Sequence, residues 1–214
     1  MRHIYRLSAL AGVIALLGVG ASLASTEDSS TACFGQDNER RITGCSQLLE
    51  MPLLPSERSM ALAMRALAYS LKGLYDLAIP DYDAAIEIAP DFGIALNNRA
   101  WAYYKSGRPQ LGVDDVERAL ALTPQSPHAL DTRAHIRQAT GDPQGALRDY
   151  EMAMRYGGTR IVRLYQCGLQ AAGLYEGFLD GIYSDKVRGA LETCVRNPTC
   201  DPLPADEECR KLTS

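Results

Sequence analysis

Between residues 59 and 158 the small and apolar positions of the chain recur with a period of 34. Ala66, Ala100 and Ala134 fall in one column, Ala85, Ala119 and Ala153 in another, and Tyr82, Val116 and Tyr150 in a third. Ala78, Gly112 and Ala146 keep a further position small. Small residues recurring where two helices cross let the backbones approach, so each row predicts a helical hairpin. Gly73, Gly107 and Gly141 mark the end of each first helix, and Pro109 and Pro143 the start of a second, because glycine favours the exit of a helix and proline its entry. Pro90 and Pro124 separate the rows, with Gly158 in that column of the third. Pro80 falls within the second helix of the first row. With Asp76 as cap, the first turn has few internal bonds to lose, and the pattern predicts no more than a kink at Ile79 and Pro80.

Row length, columns and punctuation resemble the tetratricopeptide repeat over residues 59–158. Leu62, Leu96 and Leu130 stand where that family often carries tryptophan. The resemblance implies an all-α fold, three helical hairpins in a right-handed solenoid, with a concave groove lined by the first helix of each hairpin and open to a protein or peptide partner. The groove positions are then Met60, Ala63, Leu67 and Ser70, followed by Ile94, Asn97, Trp101 and Tyr104, and by His128, Asp131, His135 and Gln138. Among them Asn97, Trp101, Tyr104, Asp131 and His135 are the candidate partner-binding residues. Trp101 and Tyr104 bring large contact area with a polar tip, although Trp101 packed between hairpins is an equal reading. The basic clamp that some family members use for a terminal carboxylate is replaced by Ala63, Leu67, His128 and Thr132, with Asn98 alone matching. His128, Asp131 and His135 share one helical face, but with no further ligand they predict groove polarity and no metal site.

The chain opens with Arg2 and Arg6 before an uncharged run from Leu7 to Ala24, and Ser22-Leu23-Ala24 ends it with small residues. Residues 1–24 therefore read as a cleavable signal peptide of a periplasmic or secreted protein, the alternative being an uncleaved anchor. Contact with a membrane is expected only through this segment. Residues 25–58 form a linker and an N-terminal capping helix, with Ile42, Cys45, Leu48 and Leu49 at helical spacing from Asn38 to Glu50. All six cysteines, Cys33, Cys45, Cys167, Cys194, Cys200 and Cys209, lie outside the repeats. An even number in an exported chain points to three disulfides, and sequence does not choose among the roughly 15 pairings. The expected pairs are Cys33 with Cys45, Cys167 with Cys194, and Cys200 with Cys209.

After the third row the texture changes. Gln166, then Gly173-Leu174-Tyr175, Gly177 and Asp180-Gly181-Ile182-Tyr183 resemble the small helical peptidoglycan-binding domain over residues 159–196, where Tyr165, Ser184, Val187 and Cys194-Val195 depart from its pattern. That resemblance implies a bacterial protein and nominates Tyr175, Asp180 and Tyr183 for contact with peptidoglycan. Residues 197–214 read as a cysteine-stapled tail.

Composition adds exclusions. The chain of 214 residues is 46% hydrophobic and 22% charged, with a formal net charge of -4. Removal of residues 1–24 leaves 20 basic against 26 acidic residues. No basic stripe suited to nucleic acid is present, and no nucleophile with a base, catalytic carboxylate pair or phosphate-cradling loop is recognisable. No cofactor is expected. The whole reads as a non-catalytic exported scaffold, an adaptor between a protein partner and peptidoglycan, or else a pure protein-interaction module with a terminal cap.

Overall fold

The computed structural model describes residues 28–197, 199–203 and 209. Residues 1–24, read above as a signal peptide, lie outside them. Residues 28–34 are helical and lead into α1 (Asn38–Leu49), capped by the Asp37 carboxylate, which accepts from the Arg40 N–H at 2.8 Å. Three antiparallel hairpins follow: α2 (Pro55–Leu71) with α3 (Tyr75–Ile88), α4 (Gly93–Lys105) with α5 (Val113–Leu122), and α6 (Pro127–Ala139) with the first half of α7 (Pro143–Ala171). The second half of α7 pairs with α8 (Asp185–Cys194). Pro109 opens a 3-10 turn, Pro109–Gly112, before α5 begins. The architecture is an all-α solenoid with α1 packed on its first hairpin.

The repeat columns are the core. Ala66, Ala100, Ala85, Tyr82, Val116 and Tyr150 are fully buried, as are Ala78 and Ala146. Gly73, Gly107 and Gly141 take φ values of 74°, 76° and 88°, which a Cβ would strain. At each, the glycine N–H and the next N–H fold back onto carbonyls of the last turn, as when Leu74 donates to Tyr69 at 2.9 Å. Gly173 ends α7 with the same pair of bonds. Gly158, at φ 65°, breaks α7 at the expected row boundary without a loop. Pro80 sits inside α3, which runs through it from Tyr75. Asp76 is not the cap. That position is Leu74, which offers no side-chain acceptor, and the Asp76 carboxylate accepts from Arg108 at 3.2 Å instead.

A second periodic system, of charge, crosses the hairpins. Arg65, Arg99 and Arg133 are one row apart, and each grips an aspartate 16 residues on with both oxygens: Asp81 at 2.7 and 2.8 Å, Asp115 at 2.7 and 2.7 Å, and Asp149 at 2.8 and 2.8 Å. Arg99 also donates back to Asp83 of the preceding hairpin at 2.7 Å, and Arg133 to Glu117 at 2.8 Å. One guanidinium thus fixes the two helices of its own hairpin and the hairpin before it.

The next arginine would fall at residue 167, where the sequence has cysteine. Glu151, left by that break, accepts from the Tyr183 hydroxyl at 2.6 Å and lies 3.4 Å from Arg188. Apolar packing is continuous across the same boundary: Tyr150 and Met154 share a core with Tyr165, Leu169, Val187 and Leu191. Residues 159–194 therefore sit on the third hairpin as a fourth, irregular one.

The disulfides correct two of the expected pairings. Cys33 bonds Cys45, as expected. Cys194 bonds Cys200, and Cys167 bonds Cys209. The reason is the turn after α8, where Asn197 donates to Cys194 at 2.9 Å and Cys200 to Asn197 at 3.0 Å, bringing the Cys194 and Cys200 Cα atoms to 5.3 Å. The tail is stapled back onto α7 and α8, not closed on itself.

Because the Asp115 side chain is only 6% exposed, Arg99→Ala strands a buried carboxylate, and a loss of about 3 kcal/mol is expected from denaturant unfolding. Replacing both partners by leucine should recover most of it. A single variant within about 1 kcal/mol of the parent would remove the ladder from this role.

Candidate functional site

The first helices of the hairpins enclose a cavity of about 500 Å³, lined by Ser70, Asn97, Trp101 and Thr132 and closed on one side by Arg160 and Leu203 from the C-terminal region. On α4, Asn97 donates to Asn98 at 3.3 Å, while its own Oδ1 has no partner. The Ser70 hydroxyl on α2 is likewise unmatched. Both atoms are buried within the helices that line the groove, and the Ser70 hydroxyl lies beside that of the buried Tyr82.

Trp101 does both things its sequence position allowed. Its ring lines the groove and also packs between hairpins, 5.1 Å from Tyr104 and 5.1 Å edge-on from His135, with the Lys105 ammonium 5.5 Å above it. Aromatic contacts continue from His135 to Tyr150 at 5.1 Å and from Tyr150 to Tyr165 at 5.7 Å. The stack runs from α4 through α6 into α7. Burial, followed by Asp201 and Asp131, pushes the Tyr104 hydroxyl up to about 12.

His135 corrects the reading of it as open groove polarity, because its side chain is 1% exposed. Nδ1 lies 2.9 Å from the Asp131 carbonyl and Nε2 lies 3.0 Å from Asp201 Oδ1. Both neighbours are acceptors, so both ring nitrogens must carry protons for both bonds to form. Burial opposes the charge, but the Asp131 and Asp201 carboxylates outweigh it and raise the His135 pKa. Burial also works against the Asp201 charge, yet the bond from His135 leaves that carboxyl lowered. Burial raises Asp131, against the pull of His135 and the Tyr165 hydroxyl that donates to it.

The residues nominated on the C-terminal module do not converge on an open face. Gln166 is fully buried and organises the turn, donating to Asp180 at 2.7 Å and accepting from the Gly181 N–H at 2.8 Å. Tyr175 is buried, with its hydroxyl on the Phe178 carbonyl at 3.0 Å. Tyr183 points to Glu151. Asp180 is exposed, its carboxyl lowered by the bond from Gln166, and Tyr183 is 40% exposed. No group of three or more potential metal ligands occurs among the described residues.

Sequence reasoning missed Asp201, the arginine ladder and the organising role of Gln166. The ladder had a signal, since both of its columns repeat every 34 residues; Asp201 had none, because 66 residues separate it from His135.

Residues 61–92 match the family model of the tetratricopeptide repeat, within the first hairpin and the turn beyond it. A solved structure, a monomeric mutant of IFIT1 with Gppp-AAAA, matches with a TM-score of 0.52 at 18% identity, over 79% of this chain and 39% of that one. The chain thus spans about two fifths of the length of that structure. No curated protein matches. The fold is a helical solenoid of the tetratricopeptide type, one generally used as a non-catalytic interaction scaffold.

The charged His135 makes a signed prediction. Its contribution is complete below the ordinary histidine value of about 6.5 and is lost as pH rises through the raised one. The Asp201 contribution is present above the ordinary carboxylate range and is lost as pH falls through its lowered value. Against the ring lie the Asp131 and Asp201 carboxylates and the rings of Trp101, Tyr104 and Tyr150, while His128 and Tyr165 act on Asp131 and Lys105 on Asp201. The gap in Tm between the parent and His135→Gln should therefore narrow as pH rises from neutral to alkaline. Parallel profiles would mean that His135 is neutral throughout.

Proposed function

We propose that the chain is a non-catalytic, exported scaffold whose groove holds a protein or peptide partner. The observation that carries this reading is the cavity of about 500 Å³ on the groove face, where the aromatic wall at Trp101 meets Asn97, Asn98 and the cations of Lys105 and Arg160. An extended polypeptide brings both apolar side chains and main-chain donors to such a surface. Asn97, Trp101, Tyr104 and Asp131 are its contact residues, with His135 supporting them from behind. Export rests on residues 1–24, and the three disulfides are compatible with an oxidising compartment.

The adaptor form of this reading, in which the C-terminal module meets peptidoglycan, draws on a cleft of about 450 Å³ beside Tyr175, rimmed by Glu176, Asp185 and Lys186. The cap form draws on the core that the module shares with the third hairpin. The cap form has the stronger support, because the Tyr175 and Tyr183 hydroxyls are engaged within the protein.

A photo-crosslinker in place of Ile94, which is 68% exposed on α4, should yield protein adducts when the chain is expressed in a bacterial envelope. The same group at the exposed Glu87 of α3 should not. Equal adducts from both positions would defeat the groove reading. Cosedimentation with peptidoglycan sacculi separates the two forms: pelleting that Asp180→Ala weakens supports the adaptor, and a folded chain that stays in solution leaves the module as a cap.

A further inference from the structure

Over the third hairpin the groove is already filled, and the occupant is the chain itself. The Gln138 amide donates to the carbonyls of Asn197 and Cys200, each at 2.9 Å, and its oxygen accepts from Tyr150 at 3.1 Å. Asp201 reaches the His135 ring at 3.0 Å, and the same carboxylate oxygen accepts the Leu203 N–H at 2.9 Å. That local turn sets Leu203 against the groove cavity and the C-terminal core, with Pro202 buried between. Disulfides anchor the segment on both sides, Cys200 to Cys194 and Cys209 to Cys167.

Each contact is one a groove makes to a foreign chain. A side-chain amide reads main-chain carbonyls, a buried cation reads a carboxylate, and an apolar wall takes a leucine. The open part of the groove continues this chemistry. Lys105 and Arg160 line it, and neither forms an ion pair among the described residues. A segment entering beside Asp201 meets these two further cations, with Asn97 and Asn98 on the facing helix. Charge complementarity therefore favours an acidic ligand.

We infer that residues 199–203 are a tethered occupant of the partner groove, and that the partner is an extended acidic peptide whose aspartate takes the place of Asp201 against His135. This deepens the groove reading above and rests on it. The tether has a quantitative consequence. A covalently held competitor acts at an effective concentration on the order of millimolar, so a free peptide making the same contacts competes poorly until the strap lifts. Lifting it requires the contacts of Asp201 and Gln138 to break and Pro202 and Leu203 to leave the C-terminal core, while the disulfides at Cys200 and Cys209 keep it tethered.

Trp101 is the only tryptophan of the chain and touches the His135 ring, so its emission reports on this part of the groove. The probe is a fluorescein-labelled peptide copying residues 197–203 with serine for cysteine, titrated in mildly acidic buffer so that His135 keeps its charge. It is added to the full chain, to Asp201→Asn, and to the double variant Cys194→Ser with Cys200→Ser, each checked by far-UV circular dichroism. Both variants should bind at least ~10-fold more tightly than the parent, with a change in Trp101 emission, because the tethered competitor is weakened. Adding Gln138→Ala to either should remove the gain, and a peptide with asparagine for aspartate should bind poorly.

Variants that fold but bind no better than the parent would overturn the inference, as would equal binding of the asparagine peptide. The Ile94 crosslink separates the two levels. Adducts that persist while the variants show no gain leave the groove reading intact and remove the strap; loss of both removes the groove reading as well.

Discussion

The stack of hairpins depends on one repeated contact, the two-toothed grip of an arginine on an aspartate 16 residues ahead. Its geometry is planar on both sides, so it tolerates little rotation of one helix against the other. The Asp149 side chain is 2% exposed and that of Asp115 is 6% exposed, which makes an unpaired register costly and the paired one close to neutral. The ladder therefore acts less as a source of stability than as a selector among packings. Alanine columns alone would let two helices slide, because small side chains offer smooth surfaces. Apolar columns bring the helices together, and the ladder chooses how they meet.

This division of labour explains what the sequence made legible. Columns such as Ala66, Ala100 and Ala134 are local periodicity, and a hairpin follows from them directly. Gly73, Gly107 and Gly141 are legible because a helix exit has few chemical solutions. Pro80 was legible too, as a residue that the second helix absorbs. The tail was not, since a cysteine pairing reflects where distant segments meet. Cys200 lies nearly as close in sequence to Cys209 as to Cys194, and only the turn at Asn197 decides between them. His135 was misread for a related reason. Its helical face was identified, but what covers that face arrives from residues 199–203.

The groove and the tail are thus one system. The aromatic stack from Trp101 to Tyr165 is built on three helices and ends beneath the imidazole that holds Asp201. The position of the strap is therefore communicated to the ring most available to a ligand. Lys105 of α4 lines the groove without an ion pair among the described residues, while His135 and Gln138 of α6 are engaged by the tail. Such an arrangement grades the groove from a free half to an occupied one along the direction of the repeats.

Cys167 stands where the arginine column would have continued, and the consequence concerns assembly. A solenoid has two raw ends, each shaped to receive another unit, and head-to-tail stacking of such ends has no natural stopping point. Here the C-terminal end presents no fourth guanidinium. Glu151 is taken by Tyr183 and Arg188, and the cysteine that replaces the guanidinium is bonded to the tail. The cysteine at this one column thus stops the ladder after three rungs, and a covalent bond to the tail stands where an ionic grip on a further hairpin would have been.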